Sequence, residues 1–189
     1  MNSGKLIIFS APSGAGKTTI VRHLLAKFPS LCFSISATTR AKRGAEVDGH
    51  DYYFISKEDF LHKVAKHEFA EFEEVYAGTY YGTLKNEIER IWAADKHVVF
   101  DLDVQGGIRL KKKYNENALS IFVMPPSVEV LAERLSDRAT DTPEKIAERI
   151  NKAKHELSFS SEFDIILPND DLSVACAAAE KIVANFINS

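Results

Sequence analysis

Apolar positions in this chain follow two patterns that alternate along its length. Five short apolar runs stand out: Lys5–Ala11 (KLIIFSA), Leu31–Ala37 (LCFSISA), His97–Asp103 (HVVFDLD), Ala118–Met124 (ALSIFVM) and Phe163–Pro168 (FDIILP). Runs of this length, rich in Val, Ile and Phe, predict strands, and the unbroken first one predicts a strand buried on both faces. Between them, Lys17–Phe28 places Ile20, Val21, Leu24, Leu25 and Phe28 at helical spacing, and Pro29 ends it. Further helices are predicted over Val104–Tyr114, Ser127–Arg138, Pro143–Phe159 and Leu172–Ile187. Ser127 after Pro125-Pro126, and Thr142 before Pro143, are suited to cap two of them. Strands alternating with helices predict an α/β fold: a parallel sheet flanked by helices on both faces.

One segment interrupts the alternation. From Thr38 to Leu84 the chain is rich in Gly, Tyr, Arg and Glu. It reads as short strands (DYYFIS, FAEFEEVY, TYYGT) around one helix, Lys57–His67, capped by Ser56. This predicts an inserted subdomain of antiparallel type, and an insertion that large is usually a substrate-binding element.

Composition narrows the class. Of 189 residues, 45 % are hydrophobic and 27 % charged, an ordinary globular balance that excludes a disordered or collagen-like chain. The formal net charge of −3 means that no overall positive field holds the protein to nucleic acid. No apolar run approaches the ~18 residues of a membrane span. The stretch after Lys5 meets Pro12 too soon for a secretory signal core. Cys32 and Cys176 lack metal or redox spacing, and the six histidines (23, 50, 62, 67, 97, 155) lack zinc-type spacing. The expectation is a reduced, cytoplasmic protein, monomer or homodimer, with no nucleic-acid or membrane partner. Lys111-Lys112-Lys113 falls at a predicted helix C-terminus, where positive charge suits the dipole.

The most informative segment is Ala11-Pro12-Ser13-Gly14-Ala15-Gly16-Lys17-Thr18, followed by Thr19, which links the first strand to the first helix. Glycines there let successive backbone N–H groups turn inward as an anion nest, and the helix N-terminus adds partial positive charge. A lysine at this place reaches the β- and γ-phosphates of a triphosphate, and the Thr18 hydroxyl can ligate Mg²⁺. Asp101, where HVVFDLD reaches its carboxylates, is the natural second oxygen ligand, because strand C-termini in such sheets face the ligand crevice.

The acceptor is constrained by the insertion. Arg40 and Arg43 stand three apart after a strand, with Tyr52 and the Tyr80-Tyr81 pair nearby. Guanidinium forks with phenol hydroxyls suit a phosphate dianion. Ser36, Glu71 and Thr83 supply short polar groups. A carboxylate accepts from the ring N–H and amine of guanine while a hydroxyl donates to its carbonyl; adenine presents the opposite polarity on its ring nitrogen. Such mispairing rejects an analogue by about 10⁴-fold in a buried site.

The blocks APSGAGKTT, SISATTRAKRGAEVDGHDYYF, EFAEFEEVYAGTYYGT, DLDVQGG and PNDDL together resemble the guanylate kinases, in the family's order, over roughly residues 5–172. Two positions depart from the usual pattern: Ala11 stands in place of Gly, and Ala37 where Ser is common. The resemblance implies a phosphate-loop kinase core with an inserted mixed α+β NMP-binding subdomain and a small helical lid, all in one domain. The expected boundaries are a core of 1–36, 85–138 and 151–189, an insertion of about 37–84, and a lid of about 139–150. It implies ATP-dependent, Mg²⁺-assisted phosphorylation of GMP, and of dGMP, to the diphosphate. Residues 11–19 and Asn169 would bind ATP. Arg40, Arg43, Tyr52 and Tyr81 would grip the GMP phosphate, and Ser36, Glu71 and Thr83, with Asp103 nearby, would read the base. Spacing leaves both Glu71 and Glu73 open as the base-facing carboxylate. Lys17, Arg40 and the lid arginines Arg134, Arg138 and Arg149 would neutralise charge around the transferred group. Two other readings are compatible with the same core: a kinase for another phosphorylated small molecule, and a non-catalytic peptide-binding module of guanylate-kinase type.

Overall fold

In the computed structural model, which describes residues 4–136 and 143–189, the first apolar run becomes β1 (Leu6–Ser10). The elements then follow as α1 (Lys17–Lys27), β2 (Leu31–Phe33), β3 (Ala37–Thr38), β4 (Tyr53–Phe54), α2 (Lys57–Ala65), β5 (Phe69–Tyr76), β6 (Thr79–Leu84), α3 (Lys85–Trp92), β7 (His97–Leu102), α4 (Val104–Tyr114), β8 (Ala118–Met124), α5 (Val128–Ser136), α6 (Pro143–Leu157), β9 (Ile165–Pro168) and α7 (Leu172–Ile187).

Strands β2-β7-β1-β8-β9 form a five-stranded sheet, parallel at every pairing. The two-residue period of a strand splits β1 between two cores. Ile7 and Phe9 pack with Ile20 and Leu24 of α1 and with Ala179 and Val183 of α7. Leu6 and Ile8 face the other way, toward Ile88 and Ile91 of α3 and Leu110 of α4. All of these side chains are essentially fully buried. Each large one contributes roughly 1.5–3 kcal/mol of gross hydrophobic stabilisation, which explains why the central strand is apolar at every position.

The predicted α/β class is therefore observed, with three local differences. The run LCFSISA does not form one strand. Leu31–Phe33 belongs to the parallel sheet, Ser34–Ser36 crosses out of it, and Ala37–Thr38 enters a second sheet. The second sheet, β4-β3-β6-β5, is mixed rather than antiparallel, because β3 and β4 run parallel. It has its own core, in which Phe60 of α2 stacks on Phe69 at 4.3 Å beside Ala37 and Leu84. Helix α3 was not expected; its signal was the pair Ile88 and Ile91, one helical turn apart and both buried. The caps at Ser56 and Ser127 form as expected, accepting from Asp59 N–H (3.0 Å) and Val130 N–H (3.3 Å). Thr142 lies outside the described residues. Of the lysine triplet, Lys111 bonds the carbonyls of Asn115, at the helix end, and Ala118, whereas Lys113 bonds the Ala70 carbonyl of β5. Among the described residues no helix is long and apolar enough to cross a membrane.

Candidate functional site

The site begins where β1 ends. The loop to α1 turns on Gly14 (φ 91°) and Gly16 (φ 89°), a conformation that L side chains rarely adopt. Ala11 is not among the positive-φ residues, so a methyl group is accommodated where the phosphate-loop pattern has its first glycine. Gly16 caps α1 without a side chain, and the first N–H groups of a helix have no intrahelical partner. The loop thus presents donors to a cavity of about 350 Å³ lined by Ala11 to Thr19, Asp101, Leu102, Asp103 and Glu156.

Register brings Asp101 to this cavity. β7 pairs with β1 so that Phe9 lies beside Asp101 and Ser10 beside Leu102. One carboxylate oxygen of Asp101 contacts the Lys17 ammonium, and the other accepts from Thr18 Oγ1 at 2.8 Å. Burial draws the Lys17 pKa down to about 8, while the carboxylates of Asp103 and Glu156 push it back up. Glu156 on α6 escaped the sequence reading. Burial raises its own pKa, with the Asp103 charge adding to the shift. Only contact across the fold could reveal it, because nothing in KAKHELS marks that glutamate. Asn169 is buried at 3 % exposure. Its Nδ2 donates to the Ala15 carbonyl at 2.6 Å, so the amide braces the loop itself.

A second cluster forms on the inserted sheet. Arg40 donates through Nε to the Tyr81 hydroxyl (3.1 Å), and its guanidinium lies 4.9 Å from the centre of the Tyr52 ring. Both terminal nitrogens reach Glu46 at 2.6 Å. Arg43 is exposed three residues on, and its backbone N–H also meets Glu46. Three of the four residues expected to grip a phosphate are thereby in mutual contact.

The third group joins the two sheets. Glu71 of β5 is directly opposite Thr83 of β6. Its Oε1 accepts from the Thr83 hydroxyl at 3.0 Å, and its exposure is only 8 %. Burial lifts the Glu71 pKa to about 7, the Thr83 hydrogen bond opposes that, and the Asp103 charge reinforces it. Asp103 caps α4 through a 2.6 Å bond from Gly106 N–H. A Cβ at Gly106 would lie 3.0 Å from Glu71 Oε2 and 3.1 Å from Asp103 Oδ1, so the two carboxylates converge over that glycine. Glu73, by contrast, pairs with Arg109 at 2.6 Å. Ser36 sits half-buried at the crossing between sheets, its carbonyl accepting from Tyr53 N–H. Arg149 is half-buried on α6, while Arg138 and the side chain of Arg134 lie outside the described residues.

Asp103 connects the parts: it lines the phosphate-loop cavity and stands over Glu71. A loop of anion-binding N–H groups with a lysine, a cluster of guanidinium and phenol groups, and a buried carboxylate–hydroxyl pair together can hold a polyphosphate, a phosphate and a hydrogen-bonding base.

Comparison with known proteins points to one family. The chain is 52 % identical over 183 residues to a guanylate kinase of Bacteroides fragilis, covering 97 % of this chain and 90 % of the relative. It is 49 % identical to one from Porphyromonas gingivalis, covering 97 % and 98 %. The crystal structure of guanylate kinase from Anaplasma phagocytophilum superposes with a TM-score of 0.75 at 27 % identity, covering 100 % of this chain and 89 % of that one. Since the guanylate kinase family model also matches residues 3–186, the chain belongs to the guanylate kinase family.

Proposed function

We propose that this protein transfers the terminal phosphoryl group of ATP to GMP, and to dGMP, giving ADP and the guanosine diphosphate. The observation that carries the reading is the bridge at Asp103: one residue borders both the phosphate-loop cavity and the buried Glu71–Thr83 pair. Donor and acceptor nucleotides can therefore meet along one crevice at the carboxyl ends of the strands.

The chemistry needs alignment and charge neutralisation more than acid–base catalysis. A phosphate oxygen of GMP is already anionic and attacks the γ-phosphorus; the bond to the β-phosphate oxygen breaks, and ADP leaves with that electron pair. Loop N–H groups and Lys17 hold the triphosphate, and bound phosphate favours the protonated ammonium. Arg40, Arg43, Tyr52 and Tyr81 hold the acceptor phosphate. Glu71 accepts from the guanine ring N–H and amine, with Thr83 and Ser36 as hydroxyl partners. Arg134, Arg138 and Arg149 offset the remaining charge near the transferred group. Thr18 and Asp101 offer the hard oxygen donors that suit Mg²⁺. Bound there, the ion would neutralise charge on the β- and γ-phosphate oxygens. The proposed setting is cytoplasmic purine nucleotide metabolism, including recycling of GMP, with residues 37–84 as the GMP-binding insertion and about 139–150 as the lid.

Intact Lys17 and Thr18 favour an enzyme over a peptide-binding module, and the Glu71–Thr83 pair favours guanine over a sugar phosphate. The test is an acceptor panel with Mg-ATP: GMP, dGMP, AMP, UMP and sugar phosphates, followed by ADP release. GMP should lead AMP by about 10⁴-fold in kcat/KM. Comparable turnover of AMP, or no GMP-dependent ADP, would overturn the assignment.

A further inference from the structure

We propose that Glu46 is the positioning residue of the phosphate clamp: it holds the Arg40 guanidinium, and with it the Arg43 backbone, in the geometry that receives the acceptor phosphate. The inference rests on reading that cluster as the GMP phosphate site.

Arg40 has five N–H donors. Nε bonds the Tyr81 hydroxyl, Nη1 bonds the Ala41 carbonyl and Glu46 Oε2, and Nη2 bonds Glu46 Oε1. The protein thus aims four of them, and the Tyr52 hydroxyl also lies within reach of the guanidinium. The Tyr81 oxygen accepts from Arg40, so its own proton is available to an anion. Below the fork, the rings of Tyr52 and Phe54 lie 4.9 and 5.5 Å from the guanidinium carbon. Tyr52 meets Tyr81 edge-on at 6.0 Å. Arginine alone could not keep this orientation, since its side chain carries about 2 kcal/mol of rotamer entropy.

Glu46 is itself anchored. Its N–H donates to the Arg43 carbonyl (3.1 Å), and its Oε2 accepts from Arg43 N–H (2.8 Å). The turn from Arg43 to Glu46 is closed from both sides, with Gly44 at φ 53°. The spacing of the two arginines is thereby fixed through one carboxylate. The Arg40 hydrogen bonds, then the Arg43 N–H, hold the Glu46 pKa down to about 2, so it is ionised at any working pH.

This role opposes simple electrostatics. Glu46 cancels the Arg40 charge and therefore lowers the Coulomb attraction for a dianion. Attraction alone predicts that neutralising Glu46 tightens GMP binding; positioning predicts that it weakens it. The experiment is steady-state kinetics on Glu46→Gln, which is nearly isosteric. The expected result is a KM for GMP raised roughly 10-fold or more, of the order that misplaced contacts cost. The KM for ATP should be unchanged, as should inhibition by guanosine, which lacks the phosphate. Glu46→Asp, with a carboxylate one methylene shorter, should fall between and carries the same comparison if the glutamine variant does not fold. In an Arg40→Lys background, where no fork remains to be held, Glu46→Gln should add less than about twofold. An unchanged or lowered KM for GMP, an equal rise in both KM values, or additive effects in the double variant would overturn the role. Absence of any GMP turnover in the unaltered protein would instead remove the parent reading.

Discussion

Replacing Glu71 with glutamine should stabilise the free protein and disable GMP recognition together. The carboxyl is 8 % exposed and faces Thr83, Gly106, Asp103 and the more distant Arg109 (3.9 Å), with the Lys113 charge also acting on it. Its pKa rises from 4.5 to about 7, so the folded state keeps a proton that the unfolded chain has lost. Between these two values the native state binds more protons, and stability therefore falls as pH rises. At 1.36 kcal/mol per unit, the loss amounts to about 3 kcal/mol between pH 4 and pH 8. Glutamine keeps the shape and the acceptor for Thr83 but has nothing to titrate. Urea unfolding of both proteins at pH 4 and pH 8 isolates the group, because all other titrations cancel in the difference. The variant should gain on the unaltered protein by up to about 3 kcal/mol across that interval. In the same preparation, kcat/KM for GMP should collapse while ATP binding persists, since an amide presents N–H groups where guanine also donates. Parallel stability curves at the two pH values would refute the argument that burial governs this carboxyl.

Lys17→Ala should abolish turnover while thermal melting remains near that of the unaltered protein, because a buried ammonium with a lowered pKa adds little to stability; a near-normal rate would contradict its role. Gly16→Ala should cost at least about 1–2 kcal/mol in calorimetric stability and weaken ATP binding. Its methyl would stand 2.4 Å from Asn169 Nδ2 at a φ of 89°, and an unaffected ATP affinity would speak against the bracing of the loop by Asn169. Glu87→Gln tests the crossing between the sheets. Glu87 accepts from Ile35 N–H, the Tyr53 hydroxyl and Arg90. Burial raises its pKa, but those bonds outweigh it and hold it below the usual carboxylate range. Arg90 is half-exposed, so a loss of about 2 kcal/mol in urea unfolding is expected.

Local chemistry was legible wherever it depends on neighbours in sequence. The strand–glycine–lysine–helix order of residues 6–27 carried its own meaning, because the turn, the nest and the helix end are all made by consecutive residues. The caps at Ser56 and Ser127 and the strand of Leu6–Ser10 are of the same kind. The switch of LCFSISA between two sheets was not, since strand identity there is set by partners at least sixteen residues away. The different settings of Glu71 and Glu73 likewise needed the fold: pairing put Glu71 opposite Thr83 and under Asp103, and left Glu73 to Arg109. Glu46 and Glu156 had no role assigned from sequence until packing gave one a guanidinium fork and the other a place in the phosphate cavity. The sequence by itself determined most of the elements, the phosphate loop and the family, since short-range sterics and hydrophobic periodicity act along the chain. Only the tertiary structure decided which carboxylates are buried, paired or poised, since desolvation and hydrogen bonding depend on what comes together in space.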